Sequence, residues 1–176
     1  MSTNLHFINQ TQITSGVTTV NVDNVFSDAY DVYFCQVTGV YHDTDVSNGI
    51  EGYRLIDSSG NVVTQSEYDS TGINFKTNTS FSETRLSNSG QLYAGLYTDQ
   101  LIDGQASSSF YIFNPYDANS YTFMISQSMG ANSSGNWGSK FIAIHKSAEI
   151  IRGFQFYESN AARTFGGGKI NVYGVK

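Results

Sequence analysis

The sequence predicts an all-β chain, a single-domain antiparallel β-sandwich of the jelly-roll kind. Three observations carry that expectation. Apolar residues alternate with period two over short runs, and no segment of useful length repeats them with helical period. Clusters of Gly, Asn, Asp and Ser punctuate those runs at intervals of roughly 8 to 12 residues, the spacing of sandwich strands. Finally, 12 Tyr and 12 Phe bring the hydrophobic share to 39%, while charged residues reach only 14%. That is aromatic enough to bury a core and well below the roughly one quarter charged of an average domain. Such a surface suits packed assemblies and extracellular β-proteins better than a freely diffusing cytosolic enzyme. At 176 residues, without a linker or an internal repeat, the chain reads as one domain, 1–176.

Taken in order, "GVTTVNV" places Val17, Val20 and Val22 in an early strand. "YDVYFCQV" is apolar on both faces, with Tyr30, Val32 and Phe34 on one and Tyr33, Cys35 and Val37 on the other. A strand of that kind is covered twice, once by its own core and once by a further layer or subunit. "GYRLIDSSGNVVTQSEYD" reads as a hairpin in which Tyr53 and Leu55 face Val62 and Val63 across the turn "DSSGN". "INFKTN", "SETRLSNSG", "QLYAGLY" and "SFYIFN" follow as strands, and the only proline, Pro115, marks a turn. "SYTFMISQS" puts Tyr121, Phe123 and Ile125 on one face, and "ANSSGNWGS" reads as a long loop carrying the only tryptophan, Trp137. "KFIAIHK" and "EIIRGFQFYE" then read as strands joined by a tight "SA", with Ile150, Phe154 and Phe156 sharing a face. "FGGGKINVYGVK" closes the sequence: a glycine hinge or bulge, then a strand with Ile170 and Val172 on the core side. The clean alternation with Lys169 and Asn171 favours a strand that seals the sandwich over an edge offered to a neighbour.

Chemistry-bearing patterns are few. The net charge is −6, and nine Lys and Arg are scattered without a basic run, which argues against nucleic acid as a partner. The lone Cys35 rules out an intramolecular disulfide and any multi-cysteine metal site. His6, His42 and His145 stand far apart, with no local zinc spacing. "DTDVSNGIEG" echoes a calcium loop through Asp43 and Asp45, but Asn48 and Arg54 occupy the positions where an EF-hand needs Gly and Glu. A solvated turn is the expectation there. "GGG" precedes a strand, so it is no phosphate cradle, and no G-x-S-x-G elbow is present. No catalytic, cofactor-binding or metal residue is therefore assigned. The N-terminus lacks the charged and apolar regions of a secretory signal, and no stretch is long enough for a membrane-spanning helix. Synthesis in the cytoplasm, with no membrane partner, is expected.

Two blocks carry a resemblance: "YDVYFCQVTGVYHDTD" continuing through "YRLIDSSGNVVTQSEYDSTG", and "IRGFQFYESNAARTFGGGKINVYGVK". Together they resemble a family of tailed-bacteriophage virion structural proteins. The resemblance covers a little under half of the chain, and the stretch from about 73 to 148 lies outside it. It implies a β-sandwich built into a phage particle, with no catalytic residue or cofactor. The expected partners are other virion proteins, the major capsid protein or tail proteins, together with further copies of the chain. It also implies that Arg152–Tyr157 and Ile170–Val175 are neighbouring strands, with Tyr173 facing a partner. The resulting expectation is a non-enzymatic virion component, a capsid decoration or cement protein. The alternative is a tail or fibre-tip module that binds a carbohydrate receptor, using Trp137 or Tyr116 as stacking platforms.

Overall fold

The computed structural model describes residues 4–43, 51–77, 81–96, 105–132 and 135–176. Among these are twelve strands and no helix: β1 (Leu5–Ile13), β2 (Thr19–Val22), β3 (Val32–His42), β4 (Glu51–Asp57), β5 (Tyr68–Lys76), β6 (Ser82–Ser89), β7 (Leu92–Leu96), β8 (Ala106–Phe113), β9 (Thr122–Asn132), β10 (Gly135–His145), β11 (Ile151–Glu158) and β12 (Phe165–Val175). They form an antiparallel sandwich. One sheet has eight strands in the order β1-β12-β3-β8-β9-β10-β5-β6, and the other has four, β2-β11-β4-β7.

The core lies between the sheets and is dominated by aromatics. Tyr53 packs on Phe110 with ring centroids 4.7 Å apart, and Phe156 stacks on Phe165 at 4.9 Å. Around them Tyr33, Cys35, Val37, Leu55, Ile112 and Phe154 are all essentially buried. Burial pushes the Cys35 thiol far above its ordinary range, so it packs as a small apolar side chain.

β12 is a central strand that pairs with β1 on one side and β3 on the other. Ile170 and Val172 point into the core and are fully buried, as a sealing strand requires. The three glycines lie inside β12 and form a bulge. Register shifts fall between Phe165 and Gly167 and between Gly167 and Lys169, and Gly168 takes φ 135°. The Tyr41 ring packs onto this bulge so closely that a Cβ on Gly166 would lie 2.3 Å from it.

Several expectations are corrected. Only β5–β6, β8–β9 and β9–β10 are sequence neighbours paired in one sheet; the other connections pass between sheets. The "DSSGN" turn forms as predicted, with Asp57 Oδ1 accepting from the Ser59 and Asn61 N–H groups and Gly60 at φ 89°. Its second arm, however, makes only the bridge Ile56–Val62 before the chain crosses to β5. β10 and β11 lie in different sheets, so "SA" belongs to a crossover. β11 and β12 likewise sit on opposite sides of the core. A register shift between Ile151 and Gly153 turns Ile151 into the core in place of Ile150. The early strand shrinks to β2, with Val17 bridging Phe165, while β1 escaped notice because its "NQTQ" stretch is polar on both sides. Trp137 is on β10, whose Gly135 pairs with Asn132 of β9, so no long loop separates the two strands.

Candidate functional site

Two groups of side chains that sequence spacing could not connect meet in the fold. His42 at the end of β3, Glu51 opening β4 and Glu158 closing β11 converge with Arg163, and all four are buried. Arg163 Nη2 lies 2.8 Å from His42 Nδ1. A guanidinium can only donate, so Nδ1 accepts and the ring proton sits on Nε2. That nitrogen lies 3.0 Å from Glu158 Oε2 and 3.6 Å from Glu51 Oε1. Burial raises the Glu158 carboxyl's pKa, but the His42 hydrogen bond, the Asn160 N–H and the Arg163 charge outweigh it and leave the pKa below its ordinary value. With its Nε2 lone pair protonated, His42 is suited to clamping the two sheets together and is poorly suited to holding a metal.

The second group is His145 with Glu67 and Glu149. Its Nε2 is 3.2 Å from Glu67 Oε2 and 3.6 Å from Glu149 Oε1. His145 is fully buried, while both carboxylates reach solvent. A metal-ligating histidine normally donates its other N–H to an acceptor. Here Nδ1 has no hydrogen-bond partner among the described residues. The tautomer protonated on Nε2 avoids a buried orphan donor, and it donates to Glu67.

In the calcium-like stretch, Asp43 serves the fold. It accepts from Ser15 Oγ at 2.8 Å, from the Gly16 N–H at 3.1 Å and from Thr164 Oγ1, tying three segments together. Those hydrogen bonds, Thr164's foremost, hold its pKa below the ordinary value. Asp45, Asn48 and Gly49 lie outside the described residues.

The most extensive feature is the outer face of the eight-stranded sheet. One cross-strand row runs Phe7–Tyr173–Phe34–Tyr111–Ile125–Ile142–Thr71–Arg85, each residue directly opposite the next across its ladder. It touches all eight strands. Seven spacings of about 4.8 Å make it roughly 34 Å long. Rings link its first half: Phe7 to Tyr173 at 5.7 Å, Tyr173 to Phe34 at 6.1 Å and Phe34 to Tyr111 at 5.0 Å. A second row, Val32–Phe113–Phe123–Ile144–Asp69, runs beside it. Between them the sheet forms a trough of about 670 Å³, floored by Phe113, Phe123, Ile125, Ile142 and Ile144 and rimmed by Asp69, Thr71 and Arg85.

β9 makes the polarity of this face unusual. Its core-facing residues are Thr122, Met124, Ser126 and Ser128, all buried, while Phe123, Ile125 and Met129 face out. Ser128 Oγ donates to Ser108 Oγ at 3.1 Å. The hydroxyls of Thr122 and Ser126 have no partner among the described residues. Register normally turns a strand's apolar side inward; β9 has its more apolar side outward. The sequence grouped Tyr121, Phe123 and Ile125 correctly, but the face they share is the outer one. β3 shows the expected double-sided pattern, with Val32 and Phe34 half-buried on the outside and no covering strand among the described residues.

The two aromatics considered as sugar platforms lie apart from this trough's floor. Lys76 Nζ sits 3.2 Å above the Trp137 ring and occupies one of its faces. Tyr116 lines a smaller cleft with Arg152 and Ile150. Comparison of the chain with protein-family models, with curated proteins and with solved structures finds no match.

Proposed function

We propose that this protein is a non-enzymatic structural component of a tailed-bacteriophage virion, a capsid-decorating or cement protein that docks on neighbouring virion proteins through the outer face of its eight-stranded sheet. One observation carries the reading: β9 keeps buried serines inside and Phe123, Ile125 and Met129 outside. Contiguous apolar patches of this extent mark interaction surfaces in soluble proteins, and an inverted strand polarity makes sense where a partner supplies the second core. The two sequence blocks that resemble phage virion proteins supply the context. The rival carbohydrate-binding reading is weakened by Lys76, which blocks one side of the only tryptophan.

The test is sedimentation of the purified protein with empty heads and, separately, with isolated tails of the phage that encodes it. Saturable pelleting with heads is expected, and pelleting with tails alone would move the site to the tail. Protein that stays in the supernatant with both, and instead binds a glycan in a manner lost on Trp137→Ala, would overturn the reading.

A further inference from the structure

We propose that β1 is a self-association edge, on which a second copy of this chain pairs antiparallel about a two-fold axis perpendicular to the sheet. Among the described residues the two sheets present four edge strands, β1 and β6 in one and β2 and β7 in the other. An exposed edge is a template for another chain, and proteins blunt edges with short strands, charge or proline. Three of these edges are blunted. β2 has four residues and β7 has five. β6 carries Glu83 and Arg85, both exposed and paired at 2.7 Å, and packing another strand against it would crowd and desolvate that pair.

β1 lacks the charge, the proline and the shortness that blunt edges; its one irregularity is a bulge between Phe7 and Asn9, beyond which the ladder is unbroken. It is nine residues long, "LHFINQTQI", with no Asp, Glu, Lys, Arg or Pro. Its stretch Asn9–Ile13 runs in unbroken register with Val172–Gly168 of β12. Alternate backbone groups of that stretch therefore point away from β12. The chain carries a net charge of −6, which opposes association, yet none of that charge lies on this strand.

The occupant follows from symmetry. In an antiparallel pair of identical strands each side chain meets one from its own sequence, so a charge near the axis would meet its like, a destabilising arrangement. Asn9, Gln10, Thr11 and Gln12 avoid this, and their amides and hydroxyl can donate and accept across the axis. An axis perpendicular to the sheet keeps both outer faces on one side. The two apolar rows then lie on that one side of the joined sheet, offset along the strand direction because the Asn9–Gln12 stretches face each other. This inference concerns an edge and a partner that the virion reading does not assign, and head binding forms no part of its readout.

Sedimentation equilibrium of the full chain tests it. Wild type is expected at twice the chain mass. Gln10→Lys with Gln12→Lys, both exposed outer-face positions, is expected at the chain mass with an unchanged circular dichroism spectrum. Glu83→Lys on the opposite edge is expected to remain dimeric. A monomeric wild type would overturn the proposal, as would a dimer that survives the β1 substitutions. If the β1 variant misfolds, hydrogen exchange on wild type decides. The amides among residues 9–12 that point away from β12 should exchange faster on dilution, and exchange independent of concentration would refute the pairing.

Discussion

Ile142 stands directly opposite Ile125 across the β9–β10 ladder, and both side chains point away from the core. Their exposures are 56% and 39%, while the adjacent Ala143 and Met124 are buried. Full burial of such a side chain is worth roughly 1.5 to 3 kcal/mol, and with about half of each still exposed, covering them is worth roughly 1 kcal/mol each. A partner that covers the surrounding row as well would gain several times that.

Deletion of residues 169–176 should abolish folding. It removes most of a central strand, leaves β1 and β3 without their shared neighbour, and uncovers the core at Ile170 and Val172. Aggregated or non-cooperative material is expected in thermal melts. A soluble truncation with a sharp transition would mean that β12 seals nothing.

The bulge in β12 should be tested together with Tyr41. Gly166→Ala places a methyl against the Tyr41 ring and should cost about 1 to 3 kcal/mol, the usual range for overpacking. Tyr41→Ala in the same chain should relieve much of that cost. A double-mutant cycle in urea measures the coupling, and strict additivity would remove the steric account.

Acid should destabilise the protein at a pH set by its paired carboxylates. The Arg152 hydrogen bond holds the Asp23 carboxyl below the ordinary carboxylate range, with the ion pair closing at 2.6 Å, and Glu158 is likewise held below its ordinary value. A carboxyl whose pKa is lowered by folding adds stability above its unfolded pKa and loses it as pH falls through the folded value. Urea midpoints should therefore be level near neutrality and decline as pH drops below about 4.5. Glu158→Gln should flatten that decline, and a decline that begins well above that pH would contradict the carboxylate account.

Calcium and zinc should leave the melting temperature unchanged. A ligand at 100 times its dissociation constant adds about 2.7 kcal/mol, or several degrees for a domain of this size. A zinc-dependent rise abolished by Glu149→Gln would show that the Glu67–His145–Glu149 group binds metal after all.

The legible part of the fold was the part that period-two alternation encodes. β3, β8, β9, β11 and β12 each follow a run of alternating residues, and Ile170 and Val172 could be placed in the core from that pattern alone. Pairing was less legible, because a turn such as "DSSGN" reports its own geometry and says nothing of which sheet the next strand joins. The His42 cluster was invisible for a related reason: its members come from three strands and a loop up to 121 residues apart. Alternation also cannot say which face of β9 points inward. The buried serines and exposed Phe123 become apparent only once β7 and β11 are seen to lie on the serine side of the sandwich.

Substitution on the outer row tests the central claim most directly. Ile125→Asp with Ile142→Asp changes two exposed side chains, so the variant should keep the wild-type spectrum and melt. Sedimented with empty heads beside wild type, it should lose at least tenfold in affinity, a loss of about 1.4 kcal/mol. Wild-type affinity in a folded double variant would contradict the claim that this face is the docking surface.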